Sequence, residues 1–278
     1  MPEFIAPDGA RIFYQDIGNG RPVLLLHGLM AHKDFFRFQR ELADQFRLIE
    51  VDFRGHGGSR ADGQLPTVEQ LAADIAELSD FLGLQGTIGI GWSLGATILW
   101  HVLTGAAAHR FAASVIVDMT PRVLNDDDWD LGLSSEICGA RSEAIRDDFR
   151  TFATSAGHAI FAQPLGPRTQ DLADWAGDEF AANDPAAIGA LWASLVKQDL
   201  RPILGQIRQP TLIAHGAQSS LYGSDTADYL AGALSSAEAI SFAGSGHAPH
   251  LEQPELFNQA IREFAAGLPR ARETQATH

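Results

Sequence analysis

The feature that most constrains this chain is a serine flanked by glycines, in the stretch Gly91-Trp92-Ser93-Leu94-Gly95. An apolar, β-branched run precedes it, and a helical pattern follows at once. A strand that turns directly into a helix requires glycines around the turn, because a Cβ there would collide with neighbouring backbone. Such a turn lifts the serine hydroxyl out of the sheet and directs the first helical N–H groups at one point. The pattern predicts a reactive serine at position 93; the alternative is a glycine-rich turn with an incidental serine.

Strand and helix patterns alternate along most of the chain. Apolar runs predict strands at 3–5, 11–16, 23–26, 48–51, 87–90, 113–117, 211–215 and 237–242. Helical periodicity follows most of these runs, and at 67–82 it begins with a capping pattern formed by Thr67 and Gln70. The alternation predicts a mostly parallel eight-stranded sheet with helices on both faces.

The strand rhythm stops between residues 122 and 205, where helices are predicted at 135–157, 168–182 and 185–197. Ligands of parallel sheets bind beyond the carboxyl ends of the strands, so a helical insertion here would cover that edge. The predicted organisation is a core in two parts, 1–120 and 206–268, with a helical cap at 121–205 and a frayed polar tail at 269–278.

The amino-acid composition restricts the kinds of molecule that the protein is expected to bind. The formal net charge of −15 argues against nucleic acid and against anionic membrane surfaces, since both require a basic patch. The chain lacks an apolar run near the length of about 18 residues that spans a bilayer, and its N-terminus does not resemble a signal peptide. Its single cysteine, Cys138, excludes an intramolecular disulfide. We therefore expect a cytoplasmic protein that acts on a small molecule.

Four stretches, in their order and spacing, resemble the α/β-hydrolase superfamily, in its serine-nucleophile branch with a helical cap. They are His27-Gly28, residues 52–59, residues 91–95, and Gly246-His247 with the following 249–254. The resemblance extends over residues 10–265. It implies that the protein hydrolyses an ester, lactone, thioester or similar acyl bond through an acyl-enzyme, without a cofactor.

The resemblance also implies roles for individual residues. Ser93 is the expected nucleophile, and His247 the expected base because it follows Gly246 directly; His250 is the alternative base. Backbone N–H groups of Leu94 and Leu29 are expected to hold the oxyanion, with Met30 as the alternative to Leu29. In this family the stretch around Asp52 is a structural turn, and His27 braces the oxyanion loop, so neither is assigned to the site.

The acidic member of the site departs from the family pattern. The usual position lies in the loop after the strand at 211–215, where this chain has Ser219 and Ser220. Some members carry the acid at the end of the preceding strand, and Asp118 occupies that place. A carboxylate there can still orient the imidazole and stabilise its cation. We predict Asp118 as the acid; the alternative is a dyad assisted by Ser219, Ser220 or water.

Two further predictions concern ligands. Met30, Trp92 and Trp129 are predicted to line the substrate pocket. The aspartate-rich run at 125–130 does not fit a calcium loop, because Leu131 and Ile137 stand where glycine and glutamate are required, so no metal is predicted.

Several functions share this constellation. Ester, lactone or thioester hydrolysis is the leading hypothesis, and carbon–carbon bond hydrolysis, perhydrolysis and acyl transfer use the same triad. Dehalogenase and epoxide-hydrolase chemistry is disfavoured, since both require an aspartate at the position of Ser93. A non-catalytic ligand receptor is the alternative from another class, and the missing acid after residue 215 is the feature that supports it.

Overall fold

The computed structural model describes residues 2–59 and 65–269. Within these residues the chain forms a sheet of eight strands in the order β1-β2-β4-β3-β5-β6-β7-β8. The strands are β1 Glu3–Ile5, β2 Arg11–Gly18, β3 Arg21–Leu26, β4 Phe46–Val51, β5 Thr87–Trp92, β6 Phe111–Val117, β7 Thr211–Gly216 and β8 Ala237–Phe242. Strand β2 pairs antiparallel with β1 and β4, and the remaining pairs are parallel. The predicted fold class is confirmed.

Helices connect the parallel strands and cover the sheet. The helices are α1 Val68–Phe81, α2 Leu94–Thr104, α3 Ser135–Asp147, α4 Phe149–Ala159, α5 Pro167–Ala181, α6 Pro185–Val196, α7 Arg201–Leu204, α8 Ser224–Ala233, α9 Pro249–Glu252 and α10 Pro254–Gly267. Two 3₁₀ segments, Lys33–Asp44 and Ala106–Arg110, complete the set. Side chains from Val23 to Leu26 in β3 are fully buried, because both faces of the sheet are covered.

Helices α3 to α7 lie between β6 and β7 in the sequence, within the range 121–205 that is predicted as the cap. The helical stretch predicted at 135–157 consists of two helices, α3 and α4, which are separated at Asp148. Asp148 has non-helical angles (φ −149°, ψ 69°), and its carboxylate accepts a hydrogen bond from Thr151 N, which caps the second helix. The predicted tail lies, from residue 270 onward, outside the described residues.

The helices of residues 2–59 and 65–269 are all too short or too polar to cross a lipid bilayer.

Candidate active site

Ser93 occupies the sharp turn between β5 and α2. Its backbone is in the left-handed region (φ 53°, ψ −120°), which is unfavourable for a serine unless the surroundings impose it. The flanking glycines explain why the turn can be so tight. A Cβ on Gly91 would lie 2.5 Å from Gly95 O, and one on Gly95 would lie 2.0 Å from Leu26 O. The close approach of β3, β5 and α2 thus fixes Ser93 at the carboxyl edge of the sheet.

Asp118 follows β6, the strand next to that of Ser93. It too has a positive φ, of 46°, and its N–H donates to Ala214 O at 2.9 Å. Its carboxylate is fully buried and accepts hydrogen bonds from His247 Nδ1 at 2.7 Å, Ser219 Oγ at 2.9 Å and Gly216 N at 3.1 Å. The hydrogen bonds satisfy a buried charge and hold it against the imidazole.

Ser219 lies in the loop where the family usually carries its acid. Its hydroxyl donates to Asp118 Oδ1, the same oxygen that accepts from His247. The same hydroxyl also accepts hydrogen bonds from Leu221 N and Tyr222 N, at 3.3 and 3.4 Å. Ser220 instead donates to Ala159 O in the cap, at 3.4 Å. Ser219 therefore supports the carboxylate of Asp118 rather than taking its place.

His247 is held on three sides. Its N–H donates to Ile160 O at 2.7 Å, its carbonyl accepts from Trp92 Nε1 at 2.8 Å, and its ring nitrogen Nδ1 donates to Asp118. Because Nδ1 carries the proton in that bond, Nε2 is the basic nitrogen of the neutral ring. His247 and Ser93 line the same cavity.

His250, the alternative base, has a different environment. The ring is fully buried, with ring-centroid distances of 5.0 Å to Phe36, 4.8 Å to Trp92 and 5.9 Å to Phe257. Burial lowers the pKa of His250 to about 3, so the ring remains neutral. Neither ring nitrogen has a hydrogen-bond partner among the described residues. These contacts favour a packing role.

The loop after β3 contains both candidate oxyanion donors, Leu29 and Met30. Met30, with φ 65°, donates its N–H to His56 Nε2 at 3.2 Å, so this alternative oxyanion donor is already engaged. Burial lowers the pKa of His56 to about 4, which keeps that nitrogen an acceptor. The N–H of Leu29 has no acceptor within the described residues. Leu94 begins α2, where no preceding turn accepts its N–H.

His27 braces the same loop from below. Its Nε2 accepts from Phe53 N at 3.0 Å, and its Nδ1 lies 2.8 Å from Gly28 O. Complete burial holds the pKa of His27 well below its ordinary value. Asp52 accepts from Lys33 N and Gly58 N, as expected for a structural turn.

Two contacts that sequence reasoning missed join the cap to the loops of the site. Asn183 Nδ2, after α5, donates to Met30 O at 2.7 Å. Glu252 accepts from Ala162 N, after α4, at 2.8 Å and from Gly246 N at 2.7 Å. Burial raises the pKa of Glu252 to about 7, against the opposing effect of these hydrogen bonds. The cap is therefore anchored beside both Leu29 and His247.

A cavity of about 280 Å³ lies between the sheet edge and the cap. Most of its lining is apolar, and it includes the predicted Met30 and Trp92. Trp129 is not among its lining residues, contrary to expectation, because the ring packs on Tyr229 at 4.8 Å and its Nε1 donates to Arg122 O. Cap residues complete the wall: Arg141, Ile145, Phe152, Ser155, Ala156, Ala159, Ile160, Phe180, Trp192 and Leu195.

Comparison with known proteins agrees with this architecture. A sequence profile of the alpha/beta hydrolase family matches residues 23–260. This chain belongs to the alpha/beta hydrolase family. It is 31% identical over 262 residues to the pimeloyl-[acyl-carrier protein] methyl ester esterase of Sodalis glossinidius, covering 91% of this chain and 97% of that protein. The enzyme of the same name from Nitrosomonas europaea is 30% identical over 254 residues, which cover 89% of this chain and 97% of that protein.

Among solved structures, an esterase from Exiguobacterium antarcticum superposes with a TM-score of 0.89 at 25% identity, covering 95% of this chain and 99% of that one. The alpha/beta hydrolase fold thus accounts for nearly the whole chain. Within the described part of the chain, no group of three His, Cys, Asp or Glu side chains is placed to hold a metal ion. In the acidic loop, Asp126 instead forms an ion pair with Arg122.

Proposed function

We propose that this alpha/beta hydrolase cleaves carboxylic esters through an acyl-enzyme, with Ser93, His247 and Asp118 as its triad. The observation that carries the proposal is the 2.7 Å hydrogen bond between Asp118 and His247, at a cavity that His247 and Ser93 line together. A nucleophile, a base and a group that orients the base are the minimum set for this chemistry.

The proposed reaction proceeds in two halves. The hydroxyl oxygen of Ser93 attacks the ester carbonyl carbon while His247 Nε2 accepts the hydroxyl proton. The resulting oxyanion accepts hydrogen bonds from the N–H groups of Leu29 and Leu94. Collapse breaks the bond to the alkoxy group, which leaves as the alcohol with the proton from His247. Water, deprotonated by His247, then attacks the acyl-enzyme and releases the acid and free Ser93.

The size and chemistry of the cavity favour a small to medium acyl substrate. Its volume of about 280 Å³ is at the lower end of ligand sites, and its lining is mainly apolar. Two relatives are named as methyl ester esterases, which supports an ester with a small alcohol as substrate. Lactones and thioesters present the same carbonyl to Ser93. Cys138 is a buried free thiol, compatible with the cytoplasmic location that we propose.

A fluorophosphonate probe tests the proposal directly. We expect the folded wild-type protein to be labelled at neutral pH, with the adduct mapped to Ser93 by peptide mass spectrometry, and to release p-nitrophenol from short p-nitrophenyl esters. Ser93→Ala should abolish both signals. A folded wild-type protein that is neither labelled nor active would contradict the proposal and favour a non-catalytic ligand receptor.

A further inference from the structure

One permanent positive charge lies in the wall of the otherwise apolar cavity. Arg141, on cap helix α3, lines the cavity together with Ile145, Phe152 and Trp192. Among the cavity-lining residues that the structure describes, it is the one arginine or lysine. A neutral acyl chain does not require a cation at this position, since apolar side chains alone would bind it.

Arg141 has no ionic partner within the described residues, where no carboxylate oxygen lies within 4.0 Å of its guanidinium. Arg146, on the same helix, is exposed, and its Nε is 2.7 Å from Asp147 Oδ1. Arg141 is half-buried. Among the described residues, Arg141 therefore presents a positive charge without a counter-ion to the cavity, and an anionic group of a ligand can pair with it.

The surroundings fix where this charge acts. The guanidinium carbon of Arg141 lies 5.6 Å from the ring centroid of Trp192, and Trp192 Nε1 in turn donates to Ser142 Oγ at 3.0 Å. Tyr222 lines the same cavity, and its pKa is raised by burial and lowered by the charge of Arg141. The Tyr222 ring lies 5.9 Å from that of His247. The field of Arg141 therefore reaches the part of the cavity next to the proposed base.

We infer that Arg141 binds a carboxylate carried by the substrate, so that the preferred substrates are monoesters of dicarboxylic acids. This inference rests on the proposed ester hydrolysis. A planar guanidinium can bind a carboxylate through two parallel hydrogen bonds, and the low polarity of the cavity strengthens such a pair. The net charge of −15 repels anions from the protein as a whole, so their binding requires a local cation of this kind.

The test compares two esters of similar length, p-nitrophenyl hydrogen adipate and the neutral p-nitrophenyl heptanoate. We expect Arg141→Gln to lower kcat/KM for the adipate ester by roughly 10- to 100-fold, and to leave kcat/KM for the heptanoate within about twofold. Arg141→Lys keeps the positive charge but cannot form the two parallel hydrogen bonds of a guanidinium, so it should lower kcat/KM for the adipate ester by an intermediate factor. Arg146→Gln is the matched control on α3 and should change neither value.

Failure of this inference is distinguishable from failure of the proposed function. If the wild type cleaves both esters and Arg141→Gln changes kcat/KM for both by the same factor, the carboxylate site is overturned while ester hydrolysis stands. If the wild type cleaves neither ester and is not labelled by fluorophosphonate, ester hydrolysis fails. Adipate binding, followed by quenching of tryptophan fluorescence, then tests the site alone: weaker binding in Arg141→Gln supports it, and equal affinity overturns it.

Discussion

The carboxyl edge of the sheet and the cap contribute to the site in different ways. The sheet edge supplies Ser93, Asp118 and His247 from turns after β5, β6 and β8, and backbone contacts hold each one. The cap supplies Arg141 and Phe152, which are positioned by the packing of its helices. We therefore propose that residues at the sheet edge cleave the bond and that residues of the cap select the substrate.

The sheet edge and the cap also differ in the contacts that hold their residues in place. Ser93 and Asp118 both have positive φ angles, which persist because adjacent strands leave no alternative path. The cap meets the loops of the site through a few separate hydrogen bonds: Asn183 Nδ2 donates to Met30 O, Ala162 N donates to Glu252, and Ile160 O accepts from His247 N. Substitutions at the sheet edge should therefore abolish chemistry, whereas those in the cap should change which ester is preferred.

The largest expected effect is that of His247→Ala, which removes the proposed base. We expect kcat for a p-nitrophenyl ester to fall by roughly 10⁶-fold, as for other triad histidines. His250→Leu is the control, because the pKa of about 3 keeps His250 neutral in its aromatic environment. That variant should retain activity within about tenfold. A similar loss in both variants would break the assignment of His247 as the base.

The cap side of the comparison is tested by Phe152→Ala. Phe152 lines the cavity, so its loss should shift kcat/KM toward esters with longer acyl chains by roughly tenfold. Phe149→Ala is matched to it, since Phe149 begins the same helix, is also half-buried and is not among the cavity-lining residues. Equal chain-length profiles for all three proteins would show that the cap does not select the acyl group.

Ser219 lies where the two regions meet and should give a smaller effect. Ser219→Ala removes one hydrogen bond from Asp118, which keeps those from His247 and Gly216. We expect kcat to fall by roughly tenfold, the usual cost of one such hydrogen bond. Measured beside the Asp118 variants, a loss as large as theirs would mean that Ser219 is an essential member of the site.

The smallest effect concerns stability rather than rate. Glu252 has a raised pKa of about 7 in the folded protein, so between about pH 4.5 and 7 the unfolded chain ionises first and the free energy of unfolding falls as pH rises. Relative to Glu252→Gln, the wild type should lose stability on the order of 2 kcal/mol over this range, after solvent screening. Denaturant unfolding of both proteins at pH 5 and pH 8 measures this. A wild type that gains relative stability would mean that the backbone N–H groups outweigh burial.

Much of the sheet could be predicted because its patterns are local. The apolar run at 23–26 indicated a strand covered on both faces, and β3 is buried there. The glycines around Ser93 indicated a tight turn, which the angles of Ser93 confirm. The sequence places Ser219 in the loop after β7, but the hydrogen bond of Ser219 to Asp118 depends on the packing of that loop against the end of β6.

The cap could not be predicted to the same depth. A single residue, Asp148, divides the helical stretch predicted at 135–157 into two helices, and its carboxylate caps the second of them. Trp129 was expected in the pocket because aromatic residues often line one, yet it packs on Tyr229 outside the cavity. Nothing in the sequence around Arg141 distinguishes it from Arg146. Only the packing of α3 against α6 shows which of the two lines the cavity.

The most direct test of the account is the turnover of Asp118→Asn, with Ser219→Asp introduced separately and in combination. We expect Asp118→Asn to lower kcat by about 10⁴-fold, because the imidazole loses its orienting charge, while circular dichroism shows a folded protein. Ser219→Asp in that background should recover part of the loss, since Ser219 Oγ lies 2.9 Å from the Asp118 carboxylate. Near-normal turnover in Asp118→Asn alone would contradict the assignment of the acid to the end of β6.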